Sequence, residues 1–154
     1  MDAAEQRKRG PCKTNGMVTV DTETIDREMI EFFENASAQL MASVQDAIHH
    51  FYASPPTGWE AWESWRTPKP WETRALPNLE SYHQELKTAL GAYDAGDIKP
   101  ITLIAASYAG LSKDLEFDMT WMKESNQRKV RKAVEQVVLI ADKIYRIGYE
   151  ALTA

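Results

Sequence analysis

The strongest constraint on this chain is its last apolar run. Between Val130 and Leu152, the residues Val130, Val134, Val137, Ala141, Ile144, Gly148 and Ala151 recur at alternating spacings of four and three. That pattern marks one narrow face of an α-helix, sustained for about three heptads. Val138, Tyr145 and Leu152 widen the face on one side. A helix of this kind cannot leave its stripe in water, so it demands partner helices. The rest of the chain supplies them, and the expected fold is all-α. It is an antiparallel bundle of four main helices, with a short tryptophan-rich excursion between the first and second.

A chain of 154 residues suits one domain with one core. Residues 1–20 read as a flexible leader and 21–154 as the helical-bundle domain. The leader is polar, punctuated by Gly10-Pro11 and Asn15-Gly16, and lacks apolar periodicity; Met17 behind it could be the natural start. No apolar run approaches the roughly 18 residues of a membrane span. Arg7, Lys8 and Arg9 have no apolar stretch behind them, as a secretory signal would require. The one cysteine, Cys12, has no partner for an internal disulfide. The expected location is the cytoplasm.

The first long helix is expected from about Thr24 to Tyr52 or Ala53, capped by Asp21 or Thr22 and stopped by Pro55-Pro56. Its apolar positions are Ile25, Met29, Phe32, Phe33, Ala36, Leu40, Val44, Ala47, Ile48 and Phe51. Four of the five tryptophans follow within residues 54–78 (Trp59, Trp62, Trp65 and Trp71). Thr57 and Glu60 have capping-box spacing, which predicts two helical turns over Gly58–Trp65. Pro68, Pro70 and Pro77 predict an extended remainder. Asn78 is placed to cap a second major helix from Leu79 to Tyr93, ended by Gly96. Asp97 and Pro100 open the third, whose stripe runs from Ile101 to Met122. Ser125-Asn126 is the expected break before the last helix.

The net charge of −5 is unevenly spread. Residues 21–63 carry nine acidic groups and one basic, whereas residues 123–146 carry seven basic and three acidic. The leading functional reading is a non-enzymatic regulator, adaptor or inhibitor that binds another protein, with no cofactor. Its expected surfaces are the acids of the first helix (Glu23, Asp26, Glu28, Glu31 and Glu34) and the indoles Trp59, Trp62, Trp65 and Trp71. An anionic helix face suits a partner with a basic surface, including a nucleic-acid-handling enzyme inhibited by a DNA mimic of the sort phages and plasmids encode. Tryptophan is prominent among interface residues that carry binding energy. Self-association through spare apolar surface fits the same pattern.

Two alternatives belong to other classes. Asp46 precedes His49 by three residues, and Glu80 precedes His83 by three. On helices this spacing puts each pair on one side, as in carboxylate-bridged di-iron bundles. The other alternative is nucleic-acid binding by Lys123, Arg128, Lys129, Arg131 and Lys132. These cations open a helix where the dipole disfavours positive charge. No catalytic residue is assigned. There is no Gly-x-Ser-x-Gly elbow and no phosphate-cradling Gly-x-x-x-x-Gly-Lys loop.

Overall fold

The computed structural model describes residues 24–111 and 119–154, and within them the chain is helical with no strand. The four longer helices are α1 (Arg27–Tyr52), α3 (Leu76–Asp94), α4 (Lys99–Ala109) and α5 (Glu124–Thr153). A short helix, α2 (Trp59–Arg66), lies between the first two. The expected leader, Cys12 and the Asp21 or Thr22 cap lie outside the described residues.

Asp26 begins α1: its extended backbone and its Oδ1, which accepts the Met29 N–H at 2.9 Å, make it the N-cap. Thr24 is therefore not in the helix. The capping box expected at Thr57 is not formed either, since α2 starts after Gly58 (φ +97°) with no side-chain cap. The segment after α2 corrects the expectation of extended chain. Helix resumes at Pro70, passes through a wide π turn at Trp71–Ala75, and runs straight into α3. The Leu76 N–H reaches back five residues to the Trp71 carbonyl. Pro77 then falls in the first turn of α3, where a missing N–H is tolerated. Asn78 is accordingly inside the helix rather than capping it.

Gly96 ends α3 as expected. At φ +92° it donates to the Tyr93 carbonyl, while Asp97 N–H bonds to Ala92 O. These are the paired bonds of a Schellman cap, which a left-handed glycine permits. Asp97 Oδ1 accepts the Lys99 N–H, and Pro100 sits in the first turn of α4. The third helix ends at Ala109 with Gly110 as its C-cap, and the part of the expected stripe over residues 112–118 lies outside the described residues. Ser125 and Asn126 lie within α5, because that helix begins at Glu124.

The core is one cluster to which all four longer helices contribute. It includes Phe33, Leu40 and Val44 of α1, Leu79 and Leu86 of α3, Ile101, Ile104 and Tyr108 of α4, and Val130, Val137 and Ile144 of α5. Helix α1 packs against α3 and α5, and α4 packs against the same two. The ends pair in register. Arg27 at the start of α1 forms an ion pair with Asp94 at the end of α3. His50 at the end of α1 meets Asn126 at the start of α5. Gly148 near the end of α5 meets Thr102 near the start of α4. The seam of α5 differs from the expected one in two places: Ala133 is buried while Val134 is only half-buried, and Ala151 is exposed.

Candidate functional site

The four tryptophans of the excursion divide into two pairs of unlike environment. Trp71 is 8% exposed and stacks on Trp121, ring centroids 3.6 Å apart, with Phe51 set edge-on to both. Trp65 is half-buried and donates its indole N–H to the Phe51 carbonyl at 3.0 Å. Of these rings Trp121 packs against the main core, and Trp71, Phe51 and Trp65 build an aromatic cluster upon it. Trp59 and Trp62 do the opposite: they are 72% and 37% exposed and lie stacked 5.5 Å apart. No residue of α2 is buried. Arg66 sits over the Trp62 ring at 5.0 Å and reaches Glu63 at 3.3 Å. An eight-residue helix without buried side chains is not held by its own hydrophobic burial. It is held by its two ends and by Trp65.

The acids of α1 lie elsewhere. Asp26, Glu28 and Glu31 are exposed and Glu34 half-buried near the start of the helix, and Glu23 lies outside the described residues. At about 1.5 Å per residue, Glu31 stands roughly 30 Å along the axis from Tyr52, where the tryptophans begin. The acidic and aromatic surfaces are therefore separate. What lies beside the tryptophans is the basic start of α5. Lys123 shares a cleft with Trp65 and Trp121, and exposed Arg128, Lys129, Arg131 and Lys132 follow on the first turns. Glu124 engages Arg128 at 3.5 Å.

The two carboxylate–histidine pairs do not converge. Asp46, His49 and Glu80 are exposed, and no group of three His, Cys, Asp or Glu side chains suited to a metal ion occurs among the described residues. His83 turns inward instead, with its Nδ1 2.9 Å from Ser37 Oγ. Ser37 Oγ also lies 2.5 Å from the Tyr108 hydroxyl, and Tyr108 packs edge-on to Phe33 and Tyr82. Burial, reinforced by Lys87 and opposed by Glu34, holds the His83 pKa below its ordinary value. Burial pushes the Tyr108 phenol up to about 12. Ser37 Oγ thus links the imidazole of His83 to the Tyr108 phenol, and burial favours the neutral imidazole.

A serine this close to a histidine has the spacing of a nucleophile and its base. Ser37, however, is 3% exposed and covered by Tyr108, so no substrate atom can approach its oxygen. The triad is a satisfied polar seam between α1, α3 and α4. Sequence reasoning missed it, although the signal was there. Ile30, Phe33, Ser37, Leu40, Val44 and Ala47 alternate by three and four, so Ser37 falls within the inward stripe. The same spacing carries the α5 stripe back from Val130 to the buried Asn126, whose Oδ1 accepts from His50 Nδ1 at 3.0 Å.

No family model, curated protein or solved structure matches this chain. Among the described residues, no helix is long and apolar enough to cross a membrane.

Proposed function

We propose that this protein is a cytoplasmic, non-enzymatic regulator or inhibitor that docks on another protein through α2. The four longer helices serve as its scaffold, as an antiparallel bundle supported by the end-to-end pairings of Arg27 with Asp94, His50 with Asn126 and Gly148 with Thr102. The observation that carries the function is the stacked, exposed pair Trp59–Trp62 on a helix that buries nothing. Two indoles in water are an unfavourable surface for a monomer, and paired, rigid aromatics are what an interface uses as its anchor. Glu60, and Glu63 paired with the Arg66 that sits over the Trp62 ring, give the indoles a mixed polar rim that suits a charged margin on the partner. The acids Glu28 and Glu31 form a second surface, available to the same partner only if it extends along the length of α1.

The test is affinity capture with the wild-type chain, Trp59→Ala, Trp62→Ala and a Glu28→Lys/Glu31→Lys/Glu34→Lys variant. A stoichiometric protein partner should be retained by the wild type and lost with either tryptophan change. Partners that bind all the folded variants alike would sink the assignment of α2.

A further inference from the structure

A cleft of about 500 Å³ lies on the inner side of α2, between the end of α1 and the turn that leads into α5. Its apolar walls are Phe51, Pro56, Trp65 and Trp121, and its charged groups are Lys69 and Lys123. Among the described residues no carboxylate lines it, which is notable in a chain of net charge −5. Glu72 of the excursion, outside this lining, accepts from the Tyr52 hydroxyl and the Lys69 backbone N–H.

The walls are held in place. The Trp65 N–H is bound to the Phe51 carbonyl, and Trp121 is stacked on Trp71. Lys69 is tethered through its ammonium to the Ser64 carbonyl, which leaves two of its three N–H donors for a ligand. The Trp121 indole N–H is the one buried side-chain polar atom among the described residues that has no hydrogen-bond partner.

From these groups we infer that the cleft is a binding site for a small planar aromatic anion, such as an aryl carboxylate. The ring lies against the indoles and Phe51, and the acid group meets Lys69 and Lys123. Flat rings gain dispersion and quadrupole contacts from indole faces, and two lysines in a lining that, among the described residues, holds no carboxylate select a negative group over a positive one. The volume accommodates one fused-ring ligand, not a folded segment of another protein.

The experiment titrates the full chain with 2-naphthoate, 2-naphthylmethylammonium and decanoate. Binding is followed by calorimetry and by the indole N–H signals in ¹H–¹⁵N NMR, with Trp121→Phe identifying its own resonance. Saturable binding of 2-naphthoate that moves the Trp121 signal is expected. The ammonium analogue and decanoate should each bind at least tenfold more weakly. Lys69→Met/Lys123→Met, which removes both cations and the Lys69–Ser64 tether, should weaken 2-naphthoate at least tenfold, and Lys123→Met alone, at an exposed position, should weaken it while leaving the circular dichroism spectrum unchanged. Equal affinity for the cation and the anion, equal affinity in the lysine variant, or no saturable binding to the folded chain would each overturn the inference.

Discussion

Gly148 of α5 rests directly on Thr102 of α4: a Cβ placed on this glycine would come within 2.0 Å of Thr102 Oγ1. The threonine cannot easily retreat, because its hydroxyl donates to the Ile98 carbonyl at 2.7 Å. The closest approach of the two helices is therefore set by the absence of one methyl group. Gly148→Ala should destabilise the fold by about 1–3 kcal/mol through overpacking, despite the better helix propensity of alanine. Thr102→Ala in the same chain should restore part of the loss. Thermal or denaturant unfolding of the single and double variants measures both.

Ser37 joins Tyr108 and His83, so its removal takes a partner from the buried Tyr108 hydroxyl and from the half-buried His83 ring. Ser37→Ala is expected to cost about 1–3 kcal/mol. Combining it with Tyr108→Phe should cost less than the sum of the two single changes, because the orphaned phenol is gone. A double-mutant cycle in urea reads the difference.

The same seam makes stability depend on pH. The folded pKa of His83 lies below its unfolded value of about 6.5, so the unfolded chain binds the proton more readily. Stability from this group is complete above that unfolded value and falls as the pH drops below it towards the folded pKa. Protonation also makes both ring nitrogens donors, so that Ser37 Oγ can then only accept from Nδ1. The melting temperature should therefore fall more steeply between pH 7 and pH 5 in the wild type than in His83→Gln. Parallel slopes in the two proteins would show that His83 is not the group responsible.

The tryptophans should separate by environment. Trp71→Ala removes a ring packed on Phe51 and Trp121 and is expected to cost about 3–5 kcal/mol. Trp59→Ala removes an exposed ring and should stay within about 0.5 kcal/mol. Equal losses by calorimetry would contradict the division of the excursion into a buried half and an exposed half.

Asp26, one of the exposed acids of the first helix, also caps α1. Asp26→Ala should cost about 1 kcal/mol, and Asp26→Asn should retain most of the cap. Glu28→Gln, one turn on and exposed, should leave stability nearly unchanged. The three variants compared by unfolding separate capping from surface charge.

Much of the architecture was legible in the chain. Spacings of three and four located the inward faces of α1 and α5, and Gly96, Asp97 and Pro100 marked the α3–α4 junction. These signals are local: they depend on helical periodicity and on residues that cap or break a helix whatever surrounds it. The same rules misplaced Pro77 and Asn78, because a π turn shifted the register and placed the proline in a first turn where its missing N–H costs nothing.

The candidate sites were much less legible. Residue type identified the tryptophans and the charged clusters, but not their exposure or neighbours. Trp59 faces water and Trp71 the core, although both belong to one aromatic-rich stretch. Trp121, which stacks on Trp71, comes fifty residues later, and His83 reaches Ser37 across forty-six. Local order follows from backbone geometry and the hydrophobic stripe, both present in any short window of the chain. Burial of a given indole, the partner of a given histidine and the separation of acids from tryptophans depend on contacts between distant segments, which only the packed helices bring together.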